Sequence, residues 1–293
     1  MTKAIISTVT SKTSKQFHQP IYFTCLNFFI AGLFIIYPCI TSAQQQTFYR
    51  VSYYKVEPGR ENELHTIMTN VDAEVQQHRI NNGAISGWYL YKLLSPSGSN
   101  TDYDYMTVTV INRYRHIFES PYTFDSALKK TFRKKDMKFF TDYYSQLNEV
   151  RKLIKEEIYA GVALADSSSK DGFQSKYIVS DFMQPKPDKF GDYMKMEVDT
   201  FRIIHKERIK LGDITQWGCF ALVLPYDTKI GYSILDFNFY NDLDAMMNAK
   251  YVEALKNTFP MVDLNRLFQS VSALRDNPRA DLWQLALHAT PAK

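Results

Sequence analysis

The sequence predicts an α+β protein in which one β-α-β-β-α-β unit occurs twice. The first observation behind this prediction is a repeat, because seven residues of one half recur 129 positions later in the other half. They are Arg79, Ile80, Gly83, Ile85, Trp88, Leu93 and Pro96, which match Arg208, Ile209, Gly212, Ile214, Trp217, Leu222 and Pro225. The second observation is the order of hydrophobic patterns, which is the same in both halves. Two copies of this length indicate a duplicated domain, because solenoid repeats run about 20 to 50 residues.

The elements of the first copy follow from its hydrophobic spacing. Residues 48–56 alternate and are rich in Tyr and Val, which is typical of a strand, and they end at Pro58-Gly59. Apolar residues at helical spacing over 64–79 predict a helix that stops at Gly83. The remaining predicted elements are strands at 85–94 and 103–111, helical segments within 126–155, and a last strand at 157–164.

The second copy repeats this plan after a polar linker at 167–173. Its predicted elements are a strand at 177–183, a helix at 187–211, strands at 214–224 and 230–240, helices at 243–255 and 264–274, and a strand at 282–287. Two further landmarks match at shorter offsets, Tyr105 with Tyr232 and Arg151 with Arg275. The order predicts an antiparallel sheet with helices on one face in each copy. The predicted domains are therefore 44–166 and 174–293.

The first 43 residues are typical of an export signal. Lys3, Lys12 and Lys15 are the only formal charges there, an apolar run at 21–40 follows, and small residues precede a cleavage point after Ala43. We expect a processed protein in the periplasm or outside the cell, with no stable membrane span. The alternative is a membrane anchor through residues 21–40, because about 20 apolar residues can cross a bilayer.

The charge balance changes when this segment is set aside. Without its three lysines the chain has 32 basic and 31 acidic residues, so most of the net positive charge belongs to the presequence. The strong positive surface that nucleic-acid binding needs is therefore missing. Of the three cysteines only Cys219 lies beyond residue 43, so hydrophobic cores rather than an internal disulfide must hold the exported chain together.

The landmarks of the repeat resemble the dimeric α/β-barrel superfamily. The second copy contains H-x-E-R-I-x-x-G-x-I-x-x-W from His205 to Trp217, followed by a strand that leads to Pro225 and a Tyr-bearing strand. That superfamily includes antibiotic-biosynthesis-type monooxygenases and NIPSNAP-like proteins, and the chain looks closer to uncharacterised exported bacterial proteins. The resemblance implies that two ferredoxin-like repeats pair with each other as a barrel within one chain. Further self-association stays open.

One stripe of the first helix in the second copy carries candidate catalytic residues. Glu197, Phe201, His205 and Arg208 fall at intervals of four, four and three, so they face the sheet, where the polar members need partners. His205, assisted by Glu197, could move a proton or orient a ligand. The first copy has Met68 and Gln76 at these positions, so only one half would act. The alternative is that His205 and Glu197 bond to protein groups and complete the core.

Aromatic residues at matched positions predict the walls of a ligand pocket, since ring faces bind apolar and aromatic compounds. Tyr232 is the third candidate catalytic residue, beside His205 and Glu197. Asp236 is expected to project into the barrel interior, where it would be a second candidate base. The predicted ligand-binding set is Trp88, Tyr105, Trp217, Asp236 and Arg208. Core packing is the alternative for the aromatic members, and bonding to the carbonyls at the end of its helix is the alternative for Arg208.

Neither a metal nor a cofactor is predicted, because the sequence lacks H-E-x-x-H, C-x-x-C, a Gly-rich phosphate loop and G-x-S-x-G. Haem-using relatives of the resembled superfamily need an axial ligand, for which His205 could be proposed, but no haem motif matches. The leading hypothesis is an exported protein that binds a small apolar or aromatic compound in a cleft between helices and sheet. Its enzymatic version is a cofactor-independent oxygenase-like or isomerase-like activity. The alternative is a non-catalytic binding or protein-interaction module with a purely structural His/Glu network.

Overall fold

The computed structural model describes residues 46–96, 102–120, 122–166, 172–225 and 230–291. The first repeat contains β1 (Phe48–Val56), α1 (Glu61–Ile67), a π-helical segment (Met68–Asp72), α2 (Ala73–Asn81), β2 (Gly87–Pro96), β3 (Tyr105–Ile111), α3 (Phe124–Thr131), α4 (Met137–Val150) and β4 (Arg151–Asp166). The second contains β5 (Tyr177–Pro185), α5 (Phe190–Met196), a π-helical segment (Glu197–Phe201), α6 (Arg202–Lys210), β6 (Gln216–Leu224), β7 (Ile234–Tyr240), α7 (Leu243–Met247), α8 (Tyr251–Thr258), α9 (Leu264–Leu274) and β8 (Arg275–Ala289). The expected signal segment and most of the expected linker lie outside the described residues.

The eight strands form one closed antiparallel barrel in the order β1-β3-β2-β8-β5-β7-β6-β4. The two repeats join edge to edge at two seams, where β2 pairs with β8 and β4 pairs with β6. This confirms the predicted α+β fold, in which two ferredoxin-like repeats form a dimeric α/β barrel within one chain. Residues 45–293 form one compact unit. None of the helices in the described ranges is long and apolar enough to cross a membrane.

Strand alternation divides the buried side chains among three cores. Inward-facing residues fill the barrel itself, and most of them are aromatic, including Tyr49, Tyr91, Phe220, Phe237 and Trp283. The outward faces of the two repeats form the other two cores, each covered by its own helices. Trp88 and Trp217 occupy matched places in these outer layers.

The backbone repeats in detail as well as in outline. Both first helices contain a five-residue π-helical segment at positions 129 apart, Met68–Asp72 and Glu197–Phe201. Both helices end before a glycine at positive φ, 68° at Gly83 and 69° at Gly212. A residue without a Cβ adopts this left-handed conformation at little cost, so the predicted glycine stops are confirmed.

Two sequence predictions about the strands are wrong. The strands β4 and β8 begin at Arg151 and Arg275, several residues before the predicted starts at 157 and 282. Their early residues include many charges, which is typical of a loop, but Lys155 with Glu157 and Arg279 with Asp281 form ion pairs on the inner face of the barrel. The offset also does not shrink before Tyr232. Strands β3 and β7 are 129 residues apart along their whole length, so Tyr232 corresponds to Tyr103 and not to Tyr105.

Candidate functional site

The predicted site residues lie in three separate places. Trp88 and Tyr105 are buried between the helices and the sheet of the first repeat. Five residues share the corresponding layer of the second repeat, namely Glu197, His205, Arg208, Trp217 and Asp236. Tyr232 instead packs inside the barrel. The three candidate catalytic residues therefore do not form one centre.

His205 lies in α6 and is packed on several sides. Its ring stacks on Trp217, with centroids 4.6 Å apart and planes 10° apart, and its Nδ1 faces Arg208 Nη1 at 3.2 Å. Burial lowers the pKa of His205 well below its ordinary value, and the charge of Arg208 lowers it further. His205 is thus neutral at physiological pH. Phe201 and Tyr251 also lie against the ring, so its surroundings do not fit an axial haem ligand.

Arg208 is occupied by protein groups. Its Nε donates to Asp213 Oδ2 at 2.6 Å, its Nη1 to Asn238 Oδ1 at 3.2 Å and its Nη2 to the Tyr240 hydroxyl at 3.1 Å. These partners replace the expected bonds to the carbonyls of its own helix. These bonds hold α6 against β7. Because each guanidinium nitrogen bonds to a protein group, Arg208 has a structural role.

Asp236 faces the helices, so the prediction that it projects into the barrel is wrong. Its neighbours Leu235 and Phe237 fill the barrel interior, and alternation puts Asp236 on the opposite face of β7. There it lies beside Glu197 and Cys219, and Glu197 Oε2 and Asp236 Oδ1 have no hydrogen-bond partner among the described residues. Burial raises the pKa of both carboxyl groups, and the Glu197 charge raises that of Asp236 further.

A second polar cluster lies inside one end of the barrel. We call it the mouth cluster, and it consists of Tyr53, Tyr103, Lys155, Glu157, Tyr232, Arg279 and Asp281. In its first half, buried Glu157 accepts hydrogen bonds from Lys155 Nζ at 3.0 Å, from the Tyr159 hydroxyl at 2.8 Å and from the Tyr232 hydroxyl, which also contacts Lys155 Nζ. Burial and then the Glu157 charge raise the pKa of Tyr232, so this hydroxyl keeps its proton at neutral pH. Burial lowers the pKa of Lys155, and the Glu157 charge opposes that change.

The second half of the mouth cluster has the same arrangement as the first, with a cation, a carboxylate and a tyrosine at the matched positions. Asp281 Oδ1 accepts from Arg279 Nε at 2.8 Å, and Asp281 Oδ2 accepts from the Tyr103 hydroxyl at 3.0 Å. Each carboxylate therefore takes a cation from its own strand and a tyrosine from the other repeat. Both halves of the cluster depend on the closure of the barrel.

Aromatic rings wall the mouth cluster. Tyr53 and Lys155 are opposite each other on β1 and β4, which places Lys155 Nζ 4.2 Å from the Tyr53 ring centroid. Arg279 Cζ lies 4.8 Å from the Tyr103 ring centroid. The Tyr53 hydroxyl and Arg279 Nη2 are both buried, and within the described ranges neither has a hydrogen-bond partner. The side chains of Lys155 and Arg279 are 30% and 24% exposed, so the cluster opens to solvent at its basic groups.

Sequence reasoning missed most of the mouth cluster, although a signal was present. The offset of 124 that matches Arg151 with Arg275 also aligns K-x-E-x-Y at 155–159 with R-x-D-x-W at 279–283. A basic, an acidic and an aromatic residue at alternate positions share one face of a strand. Because charged residues are typical of loops, the sequence of either segment alone does not indicate a strand with an inward face.

No family model and no curated protein matches the chain. Among solved structures, an anthrone oxidase-like protein is 9% identical with a TM-score of 0.46, covering 87% of this chain and 97% of its own. A haem-binding protein from Thermus thermophilus is 6% identical with a TM-score of 0.46, covering 83% and 92%. A chlorite dismutase variant from Candidatus Nitrospira defluvii, in complex with cyanide, is 10% identical with a TM-score of 0.44, covering 82% and 90%. The assignment of the fold rests on the strand order of the chain itself.

Proposed function

We propose that the protein binds a small aromatic compound carrying an oxygen acceptor, such as a carbonyl, phenol or carboxylate, at the mouth cluster. The observation that carries the proposal is the pair of buried donors without partners, the Tyr53 hydroxyl and Arg279 Nη2. Buried donors in folded proteins are nearly always paired, so two in one aromatic-walled site favour a ligand acceptor. The charges within the cluster balance, because Lys155 and Arg279 offset Glu157 and Asp281. The acceptor can therefore be neutral or anionic.

The site differs from the helix-to-sheet cleft expected from the sequence. In the second repeat that layer is occupied by the stacked His205 and Trp217 rings and by the Arg208 clamp. The surface cavity beside α8, within 248–257, is lined by other residues. These contacts agree with the structural alternative for His205. The ligand site is proposed at the mouth because the basic groups of the cluster, Lys155 and Arg279, reach solvent.

Two substitutions test the binding site, and each introduces the residue that the other repeat has at the matched position. Tyr53→Phe removes one donor and installs the ring present at Phe182, while Arg279→Lys removes Nη2 and installs the cation present at Lys155. A thermal-shift screen of benzoates, phenols and aromatic ketones should identify a ligand. Calorimetry should then show binding that is weaker by about tenfold in each variant, the effect of one lost hydrogen bond of roughly 1.4 kcal/mol.

The matched control is Tyr144→Phe, which removes a hydroxyl bonded to Asp125 on the outer surface of α4. This variant should bind like the unaltered protein. Equal affinity in Tyr53→Phe, Arg279→Lys and Tyr144→Phe would place the ligand elsewhere and reject the proposed site.

The enzymatic version of the function would centre on Tyr232. In that version the Glu157 carboxylate would take the proton from the carbon beside a ligand carbonyl. The Tyr232 hydroxyl, which donates to Glu157 and contacts Lys155, would turn to donate a hydrogen bond to the carbonyl oxygen as negative charge develops there. Isomerase-like or cofactor-independent oxygenase-like chemistry would then lose this hydrogen-bond donor in Tyr232→Phe. Deuterium uptake by an aromatic ketone in heavy water, measured by mass spectrometry, tests this version. Uptake that is unchanged in Tyr232→Phe would exclude Tyr232.

We also propose that the chain is exported, on the strength of the charged, apolar and small-residue pattern of its first 43 residues. The full chain should appear in the periplasm or medium of a bacterial host with Gln44 as its first residue. Amino-terminal sequencing of the fractionated protein checks this. Recovery of the uncut chain in the membrane fraction would favour the anchor instead.

A further inference from the structure

Three buried residues of the second repeat bring one potential metal ligand each to a single point. Cys219 on β6 and Asp236 on β7 are directly opposite each other in the sheet, and Glu197 begins the π-helical segment above them. The Cys219 sulfur, one Glu197 oxygen and one Asp236 oxygen all lie within 4.8 Å of one another. Two ligands on a tetrahedral zinc are separated by roughly 3.5 Å, so closure needs side-chain movements of about 1 Å or less.

The two carboxylates are incompletely satisfied as they stand. Glu197 is 1% exposed and Asp236 is 7% exposed, and Glu197 Oε2 and Asp236 Oδ1 both lack a partner in the part of the chain that the structure describes. Leaving a buried carboxyl oxygen unpaired is costly, and two adjacent carboxyls repel each other if both are ionised. A cation between them removes both costs.

The first repeat shows that the fold does not require these groups. The matched positions, 129 residues earlier, hold Met68, Leu90 and Thr107, which are all buried in the same layer. Methionine and leucine there pack against their neighbours as ordinary core residues. The acids and the thiol of the second repeat therefore need an explanation other than core packing.

Once the three ligands are ionised, the charge around the cluster favours a dication. Arg275 is the cation that acts on Glu197, Cys219 and Asp236 alike, and Asp181 adds a further negative charge beside them. One guanidinium cannot balance three ionised ligands and a fourth acid. A thiolate with two carboxylates is a donor set that zinc accepts, whereas calcium and magnesium prefer oxygen alone.

We propose that Glu197, Cys219 and Asp236 bind one zinc ion beneath the π-helical segment of the second repeat, with water as the fourth ligand. This site is separate from the mouth cluster, so its test does not depend on the outcome of the ligand-binding experiments. Binding releases the protons that the thiol and the carboxyl groups otherwise hold. The ion would fix the π-helical segment to β6 and β7.

The test uses the full chain, stripped with a chelator and titrated with zinc chloride. We expect one zinc per chain by elemental analysis and a higher melting temperature with zinc. The triple variant Glu197→Met, Cys219→Leu, Asp236→Thr copies the first repeat, so it should fold, bind no zinc and show no shift. Asp236→Asn alone should weaken binding by more than about tenfold, a loss seen even for outer-shell partners.

A spectroscopic measurement tests the proposal even if the triple variant does not fold. Cobalt in place of zinc should give a thiolate-to-cobalt absorption band in the unaltered protein, and Cys219→Ser should remove it. His65→Gln, which removes an exposed histidine, is the control for adventitious binding and should keep both the band and the stoichiometry. The proposal is overturned if the unaltered protein binds no zinc or shows no band, or if the folded triple variant binds zinc equally well.

Discussion

His205 and Gln76 occupy the same place in the two repeats but respond differently to pH. His205 is buried and neutral because desolvation and Arg208 both lower its pKa. As the pH falls, a histidine of this kind takes up its proton in the unfolded chain before it does so in the folded protein. Its contribution to stability is complete above the unfolded pKa of about 6.5 and is lost as the pH falls below it. Its pKa suits a packed structural residue better than a proton carrier at neutral pH.

Replacing His205 with Gln, the residue of the first repeat, should remove this part of the pH dependence. Between pH 7.5 and pH 5 the unaltered protein should lose about 2 kcal/mol more unfolding free energy than His205→Gln. Urea unfolding at the two pH values measures the difference. The buried carboxyls Glu197 and Asp236 have raised pKa values and act in the opposite direction, but they are present in both proteins and cancel. Parallel stability curves would show that His205 is not buried in its neutral form.

At the scale of the element, the first residues of strands β4 and β8 differ most from what the sequence predicts. Alternation and apolar content identified β1 and the centres of the other strands. Charged residues such as Lys155, Glu157 and Asp281 are typical of loops. They lie in strands because each has an ionic partner two residues away on the same strand, and each acid also accepts from a tyrosine of the other repeat. The π-helical segments could not be predicted either, because no local propensity distinguishes them from a continuous helix.

Breaking one of these internal pairs should destabilise the strand that carries it. Glu157→Ala leaves Lys155 without its counter-ion, and we expect a loss of about 3 kcal/mol, at the low end for buried pairs because Lys155 is 30% exposed. The neighbouring Glu156 points outward and pairs with Arg50 near the surface, so Glu156→Ala should cost less than about 1 kcal/mol. Denaturant unfolding compares the two. Equal losses would contradict the inward placement of Glu157.

At the scale of the molecule, the repeat predicted two copies of one α+β unit and the family resemblance implied their closure into a barrel, but neither located the site. The matched residues Gly83 and Gly212, or Trp88 and Trp217, specify helix ends and outer cores. The mouth cluster depends on contacts between the repeats, as when Tyr232 of one bonds to Glu157 of the other. Such contacts depend on the register of the seams, which the sequence of either copy alone does not contain.

Each repeat alone should therefore fail to form a stable monomer. Residues 44–166 and 174–293, produced separately, expose both seam edges and the aromatic inner face of the barrel. We expect self-association of each fragment, and a one-to-one complex with the mass of the joined chain after mixing. Size-exclusion chromatography with light scattering measures this. Folded monomeric fragments would contradict the dependence of each repeat on the other.

The most direct test of the proposed function is a crystal structure of the protein with the strongest aromatic ligand from the thermal-shift screen. The ligand oxygen should lie within hydrogen-bond distance of the Tyr53 hydroxyl and Arg279 Nη2, with its ring against Tyr103 or Phe182. A ligand bound beside His205 in the outer layer of the second repeat, with the mouth cluster unchanged, would contradict the proposed site.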